Sequence, residues 1–278
     1  MKNPTRTVER LRHHFEVERE LAARLRGSNR EERPALFKKL YNELFERVPD
    51  HPRLTRRDSV DESRRKVEGQ MRILKTVLQP GAALIEFAPG DCRLAYEAAK
   101  NVGSVIGVDI SDQRSPEDLA PPNFQLVVYD GYDLGLPDEA ADVVFSYQFL
   151  EHLHPDDVAP HMTLVHRLLR PGGWYVFDTP HRMSGPHDIS AAFGTDLVCF
   201  HFQEWSYSEM TDALHHAGFH EVRIIRRGNV CGPVLDAALR GFERFVSWFP
   251  TKLGRWLARR TLASVTMAAR RARGGQGE

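Results

Sequence analysis

The strongest constraint on the fold is an alternation of short apolar runs with helical stretches along the middle of the chain. Runs rich in β-branched and aromatic residues predict strands at 83–87, 105–110, 124–129, 141–147 and 174–178. Strands that alternate with helices and are apolar throughout are typical of a parallel sheet covered on both faces. The sequence therefore predicts an α/β fold with a doubly wound, mostly parallel sheet.

The segments on either side of this alternation differ from it in composition. Residues 1–61 are rich in Arg and Glu, with apolar residues at helical spacing, and they predict a helical N-terminal extension. Residues 62–228 form the predicted central domain, which also contains a helix near 206–218 and a strand at 222–225. Residues 229–278 predict one or two basic amphipathic helices, interrupted near Pro250.

Bulk composition excludes several classes of protein. The 278-residue chain has 38 basic and 38 acidic side chains, so its net charge does not indicate a nucleic-acid binder. Its three cysteines lack the spacing of a disulfide framework or a zinc ribbon. The N-terminus lacks the apolar core of a signal peptide, and no run reaches the roughly 20 apolar residues that span a bilayer. We therefore expect a cytoplasmic protein, either soluble or peripheral at the inner membrane surface.

Acidic residues near the ends of the first three predicted strands indicate a ligand site. Glu86 lies in the first strand, and Asp109 and Asp130 close the next two. The carboxyl ends of parallel strands meet at one edge of the sheet, where such folds bind ligands. Asp109 is placed to accept hydrogen bonds from both hydroxyls of a ribose, and Asp130 from an adenine amino group. The alternative is that these acids only cap helices.

The turn after the first strand narrows the class of ligand. Gly90 allows a close approach that a Cβ would prevent. The G-x-G-x-x-G pattern of dinucleotide sites is absent, because Ala88 and Cys92 occupy places where glycines usually stand. Three carboxylates without a phosphate-binding base suit a nucleoside that carries ammonium and sulfonium charges better than a dinucleotide.

Three motifs at the predicted loops carry a family resemblance. They are Glu-x-x-Pro-Gly-Asp-Cys in the first loop, Glu-His-Leu after the fourth strand and Arg-Pro-Gly-Gly before the fifth. With them the chain resembles the class I S-adenosylmethionine-dependent methyltransferases, of a bacterial type, over about residues 62–227. The resemblance implies a Rossmann-like fold with S-adenosylmethionine as the cofactor. The family's seventh, antiparallel strand is expected around 229–234, unless the C-terminal helices replace it.

The same resemblance assigns cofactor contacts to individual residues. It implies that the methionine part is lined by Glu86, Ala88, Gly90 and Cys92, the ribose by Asp109 and Ile110, the adenine by Asp130 and Gly131, and the space below the sulfonium by Tyr147 and Gln148.

The acceptor is expected beside the loops that follow the fourth and fifth strands. Methyl transfer to an alcohol or amine needs a base, and His152 is the first candidate, with His187 the second. Alternatively, His152 only packs at a helix start. Some related methyltransferases with a Glu-His pair bind a divalent metal together with a carboxylate one helical turn before it. This chain has Gln148 there, so no metal is predicted, although Glu151 and His152 with a further oxygen ligand remain an alternative.

The C-terminal segment suggests a surface contact. Residues 233–278 contain nine basic and three acidic residues, interleaved with an aromatic and leucine stripe between Phe242 and Leu257. This pattern fits either peripheral binding to an anionic membrane or packing on the domain or on a second subunit.

The expected acceptor is a small molecule, a glycan or a lipid-linked compound methylated at oxygen. Nucleic acid is not expected, since no Asn-Pro-Pro-Tyr-type motif follows the fourth strand. The competing hypotheses are a non-catalytic cofactor-binding or scaffold protein of the same fold, and a nucleotide-sugar or dinucleotide enzyme.

Overall fold

The computed structural model describes residues 6–55, 59–115, 117–249 and 251–274, and within these ranges the strands form one eight-stranded sheet. The strands are β1 (Ala83–Phe87), β2 (Ser104–Asp109), β3 (Phe124–Val128), β4 (Ala141–Tyr147), β5 (Leu169–Pro180), β6 (Phe219–Arg226), β7 (Asn229–Val230) and β8 (Ser264–Arg271). Their order across the sheet is β3-β2-β1-β4-β5-β8-β6-β7, with β1 to β5 parallel and β8 antiparallel to both neighbours. The predicted doubly wound α/β fold is confirmed.

Helices cover both faces of the sheet. They are α1 (Val8–Arg26), α2 (Arg33–Arg47), α3 (Pro52–Thr55), α4 (Val60–Leu74), α5 (Arg93–Ala99), α6 (Pro155–Leu168), α7 (Tyr207–His216), α8 (Pro233–Ser247) and α9 (Thr251–Thr261). Successive strand residues point to opposite faces. In β1, Leu84 packs into the core under α4 and α5, whereas Ile85 and Phe87 pack into the core shared with α6 to α9. In the part of the chain that the structure describes, no helix combines the length and apolarity that crossing a membrane requires.

The C-terminal segment corrects one prediction. Helices α8 and α9 form as expected, but residues 264–271, which were also predicted to be helical, form β8. Met267 pairs with Phe177 of β5 on one side and with Ile224 of β6 on the other. The antiparallel strand expected around 229–234 is therefore found later in the chain, and residues 229–230 form only the short edge strand β7. Pro250, at the predicted interruption, lies outside the described residues.

The N-terminal helices pack over the carboxyl edge of the sheet. Apolar residues of α1 and α2, including Leu21 and Leu40, form a core with Phe200 and Phe202, which lie in the segment before α7. Arg33 of α2 is 2% exposed. Its guanidinium donates to Asp157 Oδ1 at 3.0 Å and contacts His154 Nδ1 at 2.8 Å, and both partners lie at the start of α6. The N-terminal extension is thereby attached to the loops in which the candidate site lies.

Candidate active site

The loop between β1 and α5 turns through three residues with left-handed backbone. Ala88, Gly90 and Cys92 have φ angles of 53°, 56° and 60°. For any residue except glycine this conformation costs about 1–2 kcal/mol. Ala88 and Cys92, which occupy places where glycines usually stand, are therefore at two of the three backbone positions in this loop that favour glycine. The buried side chain of Cys92 packs into the core under α5, which offsets its strain.

Glu86 of β1 has a buried carboxylate oxygen without a partner. Its residue is 4% exposed, and Oε2 makes no hydrogen bond within the described part of the chain. Burial, reinforced by the charges of Asp91 and Asp109, raises the pKa of Glu86 to about 8. An unpaired buried acceptor is destabilising, so a cationic donor that reached Glu86 would stabilise its charged form.

Asp109, the last residue of β2, holds the loop after β1 in place. Its Oδ2 accepts a hydrogen bond from the Gly90 amide at 3.3 Å, and its Oδ1 accepts one from the Ser111 amide at 3.1 Å. Burial raises the pKa of Asp109, although the amide hydrogen bonds act in the opposite direction. Each carboxylate oxygen can accept a second hydrogen bond, so Asp109 retains capacity for two hydroxyl donors.

The loop after β3 lies beside the end of β2. The Tyr129 amide donates to the Asp109 carbonyl at 3.0 Å. Asp130 is exposed, and its Oδ1 accepts from the amides of Asp133 and Tyr132, which lowers its pKa. A Cβ placed on Gly131, which has a φ of 93°, would lie 3.9 Å from the side chain of Ile110. These residues form a continuous surface with Asp109.

The loop after β4 completes this surface. Gln148 also has left-handed backbone, with a φ of 51°, and its Nε2 donates to Asp178 Oδ1 at 2.7 Å. Tyr147 is 36% exposed. Burial, together with nearby Asp178 and Glu151, raises the pKa of Tyr147 to about 12, so its phenol is neutral at physiological pH. The structure thus brings the ten predicted cofactor residues to one edge of the sheet, while their individual roles stay predictions.

His152 lies in a single 3-10 turn (Leu150–His152) that follows β4. Its Nδ1 contacts the Phe200 carbonyl at 3.0 Å, and its ring lies edge-on to that of His201. Burial, together with the positive charges of His201 and Arg53, lowers the pKa of His152 to about 3. The imidazole is therefore neutral at physiological pH, but it is a much weaker base than a catalytic group with a pKa near 7.

His187 forms a different arrangement with Glu204. The Nδ1 atom of His187 lies 3.0 Å from Glu204 Oε2, and the His187 amide donates to Oε1 of the same carboxylate at 2.7 Å. The same Oε1 atom also contacts His201 Nδ1, at 3.0 Å. The side chain of His187 is 30% exposed, whereas that of Glu204 is 1% exposed. This is a histidine oriented by a buried carboxylate, a pairing that recurs in general bases.

Comparison with known proteins relates the central segment to one family. Residues 85–177 match the protein family described as a methyltransferase domain. We call them the methyltransferase segment. They extend from β1 into β5 and contain all ten predicted cofactor residues, from Glu86 to Gln148.

Two curated relatives match parts of the chain. A protein of Mycolicibacterium smegmatis named "Probable S-adenosylmethionine-dependent methyltransferase" is 39% identical over 87 residues, which cover 31% of this chain and 32% of that protein. A Mycobacterium tuberculosis (strain CDC 1551 / Oshkosh) protein with the same description is 29% identical over 161 residues, which cover 53% of this chain and 55% of that protein. The chain thus spans about a third and about half of the lengths of these relatives.

A solved structure agrees with the fold. The S-adenosylmethionine-dependent methyltransferase from Mesorhizobium loti is 20% identical, with a TM-score of 0.50, over 74% of this chain and 100% of that one. At this identity the likeness shows the fold alone, and it confirms the Rossmann-like arrangement expected from the sequence.

Some polar residues that follow the methyltransferase segment lie outside the site. The His181 side chain is fully buried, and its Nε2 lies 2.9 Å from Glu243 Oε1 of α8. Arg182 pairs with Glu209 of α7. His181 and Arg182 therefore attach α8 and α7 to the chain just after β5.

Sequence reasoning missed two charged residues near the histidines of the candidate site. Glu204 was not considered, although it follows His201 at a spacing of three residues. Arg53 of α3 was also missed, and its charge acts on both Asp109 and His152. The only available signal for Glu204 was its spacing to His201, and Arg53 lies in the N-terminal extension, which had no predicted connection to the site.

Proposed function

We propose that the chain is an S-adenosylmethionine-dependent methyltransferase that methylates an oxygen of a small-molecule, glycan or lipid-linked acceptor. The observation that carries the proposal is the unpaired, buried oxygen of Glu86 beside the left-handed loop and Asp109. S-adenosylmethionine as the cofactor agrees with the names of both curated relatives.

The residues present fit this cofactor. Glu86 would accept the ammonium group of the methionine part, and the remaining lone pairs of Asp109 would accept the ribose hydroxyls. Asp130 and Gly131 would lie beside the adenine, and Tyr147 and Gln148 below the sulfonium. When bound, the cofactor supplies an electrophilic methyl group.

His187 is the residue that we propose as the base. Transfer to a hydroxyl needs a group that takes the hydroxyl proton, and the contact with Glu204 orients the imidazole of His187. Its partial exposure leaves it accessible to an acceptor. His152, the first candidate from the sequence, is less suited because its pKa is lowered to about 3.

Replacing Asp109 with alanine is expected to weaken binding of S-adenosylmethionine and S-adenosylhomocysteine by about a hundredfold or more. The reason is the loss of two hydrogen bonds to a charged acceptor, each contributing about 1.5–3 kcal/mol. Calorimetry on the full chain measures the affinity, and transfer of a labelled methyl group to a cell extract measures activity. Asp112→Ala, at an exposed acid three residues later, is the matched control and should bind like the wild type.

Two results separate the competing hypotheses. Binding of NAD without binding of either S-adenosyl compound would refute the cofactor assignment. Tight cofactor binding with no label transferred to any extract would favour the scaffold protein.

We also propose that α8 and α9 contact an anionic membrane surface. Their inner residues, such as Val246 and Ala258, are buried against the core, whereas Trp248 is 83% exposed and Trp256 is 53% exposed. Other exposed apolar residues on these helices are Val234, Leu235, Phe245 and Leu253. Exposed basic residues, among them Arg259 and Arg260, lie on the same helices. Exposed tryptophans interleaved with cations suit the headgroup region of a bilayer.

Replacing both Trp248 and Trp256 with alanine is expected to reduce binding to anionic vesicles by about tenfold or more. This is the loss of apolar burial expected for an aromatic side chain. Sedimentation with phosphatidylglycerol-containing vesicles measures binding, and Leu119→Ala, at another exposed apolar residue, is the control. Point variants are needed because deleting residues 233–278 would also remove β8. Equal vesicle binding by the double variant and the wild type would refute the proposal, and tryptophan-dependent self-association without vesicle binding would favour the homodimer.

A further inference from the structure

Three side chains on the segments that follow β4 and β5 each place a possible metal-ligand atom close to the other two. Glu151 and His152 come from the turn after β4, and His201 comes from the segment before α7. One ligand atom from each lies within 4.8 Å of the other two. Glu151 is 0% exposed, and its Oε1 makes no hydrogen bond within the described residues. The cluster therefore contains a buried acceptor without a donor.

The outer atoms of all three side chains are held by hydrogen bonds. His152 Nδ1 donates to the Phe200 carbonyl at 3.0 Å, and His201 Nδ1 donates to Glu204 Oε1 at 3.0 Å. In a neutral imidazole the Nε2 atom then carries the free lone pair. Thr179 Oγ1 donates to Glu151 Oε2 at 2.9 Å. Ligand residues whose outer atoms are oriented by a carbonyl, a carboxylate and a hydroxyl are typical of metal sites.

The other two groupings of such residues in the described part of the chain are already satisfied. In the group of His14, Glu18 and His51, both nitrogens of His14 are used, one by Arg6 and one by Glu18. In the group of Glu18, Asp188 and Cys199, both oxygens of each carboxylate are already used. Those of Glu18 contact His14 and accept from the Phe200 amide, and those of Asp188 accept from the Ser190 and His201 amides.

We propose that Glu151, His152 and His201 bind a divalent first-row transition-metal ion. Two imidazoles and one carboxylate favour zinc, iron(II) or cobalt(II) over magnesium, which prefers oxygen ligands. The third proposed ligand is His201, from a segment distant in sequence, whereas the sequence analysis suggested a further oxygen ligand. Three protein ligands leave positions open for an acceptor oxygen. That last role rests on the proposed methyl transfer, whereas metal binding does not.

The test uses untagged full-length protein, stripped with a chelator and titrated with Zn²⁺ or Co²⁺ in the absence of any S-adenosyl compound. We expect one equivalent of metal to bind, with a visible Co²⁺ spectrum that indicates a low coordination number. Glu151→Gln and His201→Gln, which nearly keep side-chain volume, should each weaken binding by about a hundredfold or more. Thr179→Val, which removes only the orienting hydrogen bond, should weaken it by about tenfold.

Matched controls make the outcome decisive. His216→Gln removes an exposed histidine of α7 that lies outside the proposed ligands, and it should bind metal like the wild type. Circular dichroism establishes that each variant is folded. Absence of a stoichiometric site in the wild type, or unchanged affinity in both folded ligand variants, would overturn the proposal. Metal binding without binding of S-adenosylmethionine would leave this site standing while refuting the proposed function.

Discussion

Glu86→Gln is expected to stabilise the protein at pH 8 and to weaken binding of S-adenosylmethionine by about a hundredfold. The substitution keeps the shape of the side chain and removes its charge. Because the wild-type carboxylate is buried without a partner, the uncharged amide is better tolerated by the folded protein. Because the ammonium group of the cofactor would lose its counter-charge, the same change weakens binding.

The pH dependence of stability follows from the direction of the pKa shift. The pKa of Glu86 is raised from 4.5 to about 8, so between these values the folded chain retains a proton that the unfolded chain releases. The free energy of unfolding therefore falls as pH rises through this window. At pH 8 the pKa shift lowers the free energy of unfolding by roughly 2–5 kcal/mol, and Glu86→Gln removes this pH dependence. Below pH 4.5 the Glu86 side chain is protonated in both the folded and the unfolded chain, so this loss of stability is absent.

Denaturant unfolding at pH 5 and pH 8 measures this effect. The difference between Glu86→Gln and the wild type should be small at pH 5 and large at pH 8. Glu46→Gln, at an exposed glutamate of α2, should follow the wild type within about 0.5 kcal/mol at both values. Parallel pH profiles for Glu86→Gln and the wild type would contradict the prediction.

Arg33→Met is expected to destabilise the protein by about 3–5 kcal/mol. Methionine fills much of the same volume but leaves Asp157 and His154 at the start of α6 without their buried partner. Asp157 also accepts a hydrogen bond from the Tyr132 hydroxyl at 2.6 Å, in the loop proposed to hold the adenine. The substitution should therefore weaken cofactor binding as well as the attachment of the N-terminal helices.

Arg30 provides a matched comparison, because it contacts the same carboxylate from the surface. Its side chain is 54% exposed and lies 3.5 Å from Asp157 Oδ1. Exposed pairs of this kind contribute at most about 1 kcal/mol, so Arg30→Met should be nearly neutral. Denaturant unfolding measures both variants. Similar losses of stability for Arg30→Met and Arg33→Met would mean that burial of the guanidinium does not determine how much its contact with Asp157 stabilises the protein.

The sequence predicted the parallel part of the sheet because its strands are buried on both faces and appear as continuous apolar runs. β8 was missed for a physical reason. Its sequence, from Ser264 to Arg271, follows two basic helices and ends in two arginines, so local composition continues the helical pattern. The strand forms because it fits between β5 and β6, which are distant in sequence, and nothing local to residues 264–271 encodes those partners.

The candidate site likewise has a part that could be predicted from the sequence and a part that could not. Glu86, Asp109 and Asp130 could be found because parallel strands bring their carboxyl ends to one edge. The contact of His201 with Glu204, and the approach of His201 to Glu151, depend on how residues 181–206 fold under the N-terminal helices. That segment has no hydrophobic periodicity from which its structure could be predicted. The left-handed backbone at Ala88 and Cys92 likewise could not be predicted, since neither residue type favours it.

The position of β8 also governs when the sheet can be completed during synthesis. Residues 264–271 leave the ribosome after all seven other strands, yet they occupy the gap between β5 and β6. Until then both of those strands present unpaired backbone edges, which are templates for pairing with other chains. A nascent chain is therefore most exposed to aggregation just before β8 emerges, and a truncation that removes β8 would make that exposure permanent.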